Sequence, residues 1–417
     1  MMAKMTISKA SCAVLMSALV LGCSGEQNPS APGSQATTQG QATTSTQATA
    51  SSGATQTSGA ATVTAGTTDS SAAVTGTSAT TSAATAATGA GGATTAGSTA
   101  TTDATTSATS TTGGTTGGTL AQSVCPPGSE SMAPVLTGTP TQVAGVPPND
   151  GYSPFNIEGP VWVNGALYMS EIASGANPPA ARILKYTPGV GVEVWKDDVG
   201  TNGLAIDTSG VLYGASHKDG SISRFDLQNP SAPPVPVVNQ YMGTRFSSPN
   251  DLTISSAGRI YFTDPFYQAG NQRQAQERAY WFELQDPSVI HEIAGAPSPP
   301  NGISLSPDEQ TLYVAGASPA MAFPVMADGS LGQGAQFGPS GVDGMGVDCA
   351  GNLYLAVYAA GTVVVLAPTG DQLGTINVAT GITNVAFGGS DRTTLYISRL
   401  EVQELYEVNV GIPGLPY

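Results

Sequence analysis

The sequence predicts an all-β protein whose folded part, residues 123–417, is a six-bladed β-propeller. Three observations lead there. A segment of one plan recurs six times, its copies start 44, 48, 51, 42 and 41 residues apart, and each alternates apolar with small or polar residues. Repetition at this period marks an architecture of repeated units. The alternation is that of half-buried sheet, and each interval holds four short strands, which make one propeller blade.

The copies are EGPVWVNGALYMS from Glu158, NGLAIDTSGVLYGAS from Asn202 and NDLTISSAGRIYFTD from Asn250. NGISLSPDEQTLYVAG from Asn301, DGMGVDCAGNLYLAV from Asp343 and NVAFGGSDRTTLYIS from Asn384 follow. Each begins with a carboxylate or an amide, runs through an alternating apolar stretch, and turns at Gly, Asp, Ser or Asn. A Leu-Tyr or Ile-Tyr pair then opens a second alternating stretch, with its tyrosine in the core. No segment sustains a 3.6-residue period, which excludes a helical solenoid. Residues from Pro134 to Asn149 precede the first copy and are expected to supply a strand that closes the ring beside the last blade.

The remaining residues read differently. Lys4 and Lys9 flank the start of a short apolar run from Ala10 to Leu21, too short to span a bilayer comfortably. Val20-Leu21-Gly22-Cys23 resembles the lipobox of bacterial lipoproteins, which implies cleavage after residue 22 and lipidation of Cys23. An ordinary signal peptide or an uncleaved anchor is the alternative. Ser24 in place of aspartate implies outer-membrane sorting. Residues 23–122 are almost entirely Ser, Thr, Ala, Gly and Gln, a composition that cannot bury enough apolar surface to offset the entropy of ordering. The expectation is a disordered tether that holds a monomeric head at the cell envelope, with the lipid as its only membrane contact.

The chain carries 13 basic and 29 acidic residues, a net charge of −16. That field repels nucleic acid and anionic lipid and attracts divalent cations. The folded part keeps two cysteines, Cys125 and Cys349, in a compartment that permits disulfides. Cys349 lies in the turn of the fifth copy, and the start of the folded part should run beside blades 5 and 6, so the two are expected to pair.

In a propeller the innermost strands line a central channel, so equivalent residues form a ring. The first residues of the copies are Glu158, Asn202, Asn250, Asn301, Asp343 and Asn384, all oxygen donors. Hard oxygen ligands suit Ca2+ best, with Mg2+ or Mn2+ behind it, whereas Zn2+ normally recruits His or Cys. The competing reading is that these residues cap turns, and it stays open for Asn202 and Asn384.

The segments EGPVW, SPND with YFTDP, PNG, VDGMGVDCAGNLYLAV and TNVAFGGSDRTTLYIS resemble the senescence marker protein/gluconolactonase family of six-bladed propellers. That family includes regucalcin and the squid-type organophosphate hydrolases. The resemblance covers residues 150–405 and implies calcium- or zinc-assisted hydrolysis of sugar lactones or related esters. It places metal ligands on Glu158, Asn301 and Asp343, and on Asn250 an amide that contacts metal, water or substrate. His217, in ASHKDGSISRFD, matches a histidine common in bacterial lactonase-like members. The stretch FTDPFYQAG departs from the pattern after Tyr267, where related sequences keep a glycine.

Lactone hydrolysis needs a polarised carbonyl, an activated water and a stabilised oxyanion. A divalent metal with Asp343 as base and Asn250 as orienting amide meets those needs. His217, Arg245 and Asn202 are further candidate substrate contacts; Asp264 is read as fixing a turn. The alternative function is a non-catalytic propeller that binds a ligand or partner through its metal.

Overall fold

Alternation in the six copies becomes six four-stranded antiparallel sheets arranged as blades of a propeller. The computed structural model describes residues 125–143, 155–173, 179–271, 273–400 and 404–416. All of these lie in the second of two compact units, Thr112–Tyr417. The lipobox with Cys23 and the tether fall outside the described residues.

The inner strands of blades 1 to 6 are Phe155–Val163, Thr201–Ile206, Leu252–Ile254, Pro300–Leu305, Val342–Val347 and Ile382–Gly388. Each packs against the next, and the sixth packs against the first, so the ring is closed. Closure leaves no inner sheet edge exposed to another chain. Thr141–Gln142 pairs with Leu405–Asn409 as the outer strand of blade 6. The segment ahead of the first copy therefore supplies the expected closing strand.

The turns explain why the copies look alike. In blade 2, Asp207 Oδ1 accepts the backbone N–H groups of Ser209 and Val211, and the Tyr213 hydroxyl donates to Oδ2 at 3.3 Å. In blade 5, Asp348 accepts the N–H groups of Ala350 and Asn352 and the Tyr354 hydroxyl at 3.0 Å. One aspartate thus satisfies the turn backbone and anchors the tyrosine that opens the next strand. Gly210 and Gly351, at φ +82° and +83°, take the left-handed position such turns require. All six repeat tyrosines are buried, between 0 and 7% exposed, as core residues.

Cys125 and Cys349 form a disulfide across 224 residues of sequence, with Cα atoms 5.6 Å apart. It ties the start of the folded unit to the Asp348 turn of blade 5. The C-terminal segment crosses the same end of the ring. Leu415 N–H donates to Val347 O of blade 5, Gly414 packs on the Phe387 ring of blade 6, and Trp162 N–H of blade 1 donates to Pro416 O. Val347, Phe387 and Trp162 sit at or near the far ends of their inner strands. The tail therefore crosses that end of the channel over three blades, and the ring residues lie at the opposite end, the mouth.

Candidate functional site

Strand register, more than motif alignment, decides which residues face one another at the open mouth. Two consecutive residues bulge from the ladder near the start of most inner strands. They are Asn202 and Gly203, Asn301 and Gly302, Asp343 and Gly344, and Thr383 and Asn384. In blade 3 the same places, just ahead of Leu252, hold Asn250 and Asp251. Blade 1 has Gly159 and Pro160 there, so Glu158 stands one residue earlier. Gly159 and Pro160 fill the two bulge places, so the carboxylate falls on the last paired residue before them. Asn384 stands one residue later than its motif suggested, because it leads directly into the paired Val385, and Thr383 takes the first place.

The second residue of each bulge lies where neighbouring blades almost touch. A Cβ on Gly203 would come 2.5 Å from Asp251 Oδ1, and one on Gly302 would come 2.6 Å from Asp343 O. Glycine is needed at both, since real Cβ atoms do not approach so closely. The space that the glycines leave is entered by Asp251 and Asn384. These belong to blades 3 and 6, which oppose each other in a six-membered ring. Asn384 Nδ2 donates to Asp251 Oδ2 at 3.3 Å, so this hydrogen bond reaches across the channel. Leu252 N–H and Val385 N–H hold the remaining side-chain oxygens at 3.0 and 2.8 Å.

Around this strut are three buried carboxylates on alternate blades: Glu158 on blade 1, Asp251 on blade 3 and Asp343 on blade 5. Burial raises the Asp251 carboxyl to about 7, against hydrogen bonds from Leu252, Asn384 and Ile303. Asp343 is likewise raised to about 7 by burial, opposed by the Asn301 hydrogen bond and reinforced by the charge of Asp251. Glu158 is held well above its ordinary value by burial and then by the charges of Asp343 and Asp251. Among the described residues no Lys, Arg or His acts to lower any of the three. Such a cluster is costly unless protonated or neutralised by a bound cation.

The amides complete the mouth. Asn301 Nδ2 donates to Asp343 Oδ1 at 2.5 Å, linking blades 4 and 5. Asn250 and Asn202 are buried, and Asn202 Nδ2 has no hydrogen-bond partner among the described residues. Glu158, Asn301 and Asp343 are linked by charge and hydrogen bonding, and buried Asn250 begins the neighbouring blade 3; all four carry oxygen donors, the hard set that Ca2+ and similar ions take. Among the described residues no three His, Cys, Asp or Glu side chains form a metal cage by themselves. Any cation here depends on the amides as well as the acids, so the donor set fits a divalent ion of hard character.

Second-line candidates occupy supporting places. His217 is buried, its Nε2 bonded to Pro179 O at 2.9 Å, and burial lowers it to about 4, so the ring is neutral. Arg245 donates to the backbone carbonyls of Phe246, Ser247, His217 and Lys218. It joins the loop ahead of Asn250 to blade 2. Asp264 is buried and accepts Ser247 N–H at 2.9 Å and Ser248 N–H at 2.6 Å. That pair of bonds sets the SPND loop and hence the position of Asn250. Two surface grooves, of about 430 and about 610 Å³, lie between blades 4 and 5 and between blades 3 and 4, and neither includes a ring residue.

Asp251 and Tyr267 were not singled out by sequence reasoning. Asp251 was hidden because its neighbour Asn250 matched the motif start. Counting back from the first paired apolar residue, Leu252, would have revealed it. The Tyr267 hydroxyl is within hydrogen-bonding reach of the Asn301 amide, in the field of Asp343, Glu277 and Glu158. Only a loop folded over the mouth puts it there, and no spacing in the sequence encodes that fold-back.

A closed six-bladed propeller with buried acids and amides gathered at one end of its channel defines a class of proteins with a polar site on the propeller axis. Within that class, the chain belongs to the SMP-30/Gluconolactonase/LRE-like family, whose model matches residues 156–400. It is 32% identical over 276 residues to the gluconolactonase of Zymomonas mobilis, covering 58% of this chain and 75% of that one. It is 27% identical over 256 residues to a pentonolactonase of Haloferax volcanii, covering 58% and 80%. A solved gluconolactonase from Xanthomonas campestris superposes with a TM-score of 0.54 at 27% identity, covering 67% of this chain and 98% of its own.

Proposed function

We propose that the chain hydrolyses sugar lactones or related esters at the open mouth of its propeller, with one divalent metal, Ca2+ first among the alternatives. The observation that carries this reading is the cluster of Glu158, Asp251 and Asp343, buried together with no basic side chain among the described residues to neutralise them. The gluconolactonase and pentonolactonase relatives support the substrate class.

Glu158, Asn250, Asn301 and Asp343 are the residues that would hold the metal. When bound, a divalent cation acts as a Lewis acid toward an ester carbonyl and makes water more acidic. The chain's own residues supply the rest. Asn250 and Asn301 orient the lactone oxygens through their amides. Asp343, steadied by Asn301, takes a proton from the attacking water. Water oxygen joins the carbonyl carbon, the ring C–O bond breaks, and the ring oxygen leaves as a hydroxyl after gaining a proton. The Asp251–Asn384 strut holds blades 3 and 6 at fixed separation, so that Asn250 stays in register with the opposite wall.

The test is a panel of five- and six-membered sugar lactones offered to the purified chain, with and without chelator. Chelator should remove at least about 90% of hydrolysis, and Ca2+ should restore it. Hydrolysis that is indifferent to chelator would overturn the metal-dependent part; no hydrolysis of any lactone would overturn the reading itself. We further propose that Cys23 carries a lipid and anchors the head at the cell envelope through the tether. Cys23→Ser should then move the chain from the membrane fraction to the soluble fraction, and an unchanged distribution would rule the anchor out.

A further inference from the structure

Among the described residues, blade 3 carries a long, heavily hydrogen-bonded loop at the rim of the mouth. The loop runs between Arg259–Asp264 and Arg278–Glu283, and it is pinned to the segment before Asn250. Gln268 N–H donates to Ser248 Oγ at 3.1 Å, and Ser248 Oγ donates back to the Gln268 side chain at 2.9 Å. Gln274 N–H donates to Ser247 Oγ at 3.0 Å, and its side-chain amide reaches the Tyr241, Thr244 and Arg245 carbonyls at 3.2, 2.6 and 3.2 Å. Phe266 N–H donates to Glu277 at 2.9 Å, and the Arg273 guanidinium lies 4.5 Å over the Phe266 ring. These contacts engage Gln268, Arg273 and Gln274 with the protein itself and pin the loop at those places.

Tyr267 sits between two pinned residues, and its environment differs from theirs. The residue is 45% exposed, yet its hydroxyl is beside the Asn301 amide and in the field of Asp343 and Glu158. The side chain therefore leans from blade 3 toward residues of blades 4, 5 and 1. Asn301 has two amide hydrogens. One goes to Asp343, and the other is available to the phenol oxygen. A phenol that accepts from Asn301 keeps its own O–H to donate, and among the described residues no acceptor takes it.

We infer that Tyr267 is a specificity-determining residue, donating its hydroxyl to a hydroxyl group of a polyhydroxylated lactone while its ring covers the lactone's C–H face. This rests on the proposed lactone hydrolysis. A donor held in place favours substrates that present an oxygen to it and gives nothing to an analogue that lacks one. An aromatic face beside a hard, oxygen-lined floor also matches the two sides of a sugar ring, one apolar and one hydroxylated.

The experiment compares wild type with Tyr267→Phe on a hydroxylated six-membered lactone and on unsubstituted δ-valerolactone. The ratio of the two kcat/KM values should fall about five- to tenfold in the variant, the worth of one neutral hydrogen bond. Loop damage would lower both values together and leave the ratio in place. Calorimetric titration with the hydroxylated lactam, which is not hydrolysed, reads the same contact as a loss of affinity of similar size. If wild type hydrolyses lactones and the variant matches it in both ratio and lactam affinity, the role of Tyr267 is overturned while the proposed function stands. If wild type neither hydrolyses the lactones nor binds the lactam, the proposed function falls and takes this role with it.

Discussion

Asp343→Asn should leave the propeller folded and cut hydrolysis of its best lactone by about 10²–10⁴-fold, the range for loss of a positioned proton acceptor. The amide keeps the shape of the carboxylate and can still accept from Asn301, whose Nδ2 lies 2.5 Å from Asp343 Oδ1. What disappears is the charge. A purely structural role for Asp343 predicts the opposite pattern, with lower stability and little change in rate per folded molecule. The electrostatics sharpen the contrast, because Asp343 raises Glu158 and is itself raised by Asp251. Replacing it by a neutral residue relieves that repulsion, so the cation-free variant should melt at a higher temperature than the cation-free wild type at pH about 8. Parallel rate and melting measurements separate the two accounts. A variant with wild-type kcat/KM would remove Asp343 from the chemistry.

Stability without a cation should fall as pH rises, which is unusual for a protein rich in acids. Asp251 and Asp343 have folded-state values near 7, and Glu158 is also raised, all above the values of an unfolded chain. A raised value means that the folded state binds protons more tightly. The stability from that preference is complete below pH about 4 and is lost as pH climbs through about 7. Chelated protein should therefore melt at a higher temperature at pH about 5 than at pH about 8. Added Ca2+ should reverse the order, because it binds the ionised acids and stabilises in proportion to its occupancy. Chelated melting temperatures that rise between those two pH values would show that the three acids are not buried together as described.

The fold was legible in the sequence because a propeller repeats its physics. A polar-capped tight turn and a Leu-Tyr or Ile-Tyr pair recur, so six copies announce six blades. The ring was only partly legible. Asn202, Asn250, Asn301 and Asp343 share one place in the register, but Glu158 precedes it and Asn384 follows it. The bulge holds two residues in each of these blades, and the polar side chain sits on the paired residue before it in blade 1 and on its second residue in blade 6. Asp251 was hidden for a different reason. Three of its counterparts, Gly203, Gly302 and Gly344, are glycines and a fourth is Pro160, so the repeat gave little sign that this position carries a functional side chain. Tyr267 lay beyond reach altogether, since its place depends on hydrogen bonds from Gln268 and Gln274 to a distant loop.

The central claim is that acids and amides from separate blades act as one cation site, and calorimetric titration of Ca2+ into chelator-stripped protein tests it most directly. At pH about 6.5, in two buffers of different ionisation enthalpy, wild type should bind one Ca2+ per chain and release protons, since Asp251 and Asp343, both near 7, are then largely protonated. Glu158→Gln and Asp343→Asn should each weaken binding by at least about tenfold, as loss of one charged ligand requires. No binding by wild type, or binding that neither variant alters, would contradict the account.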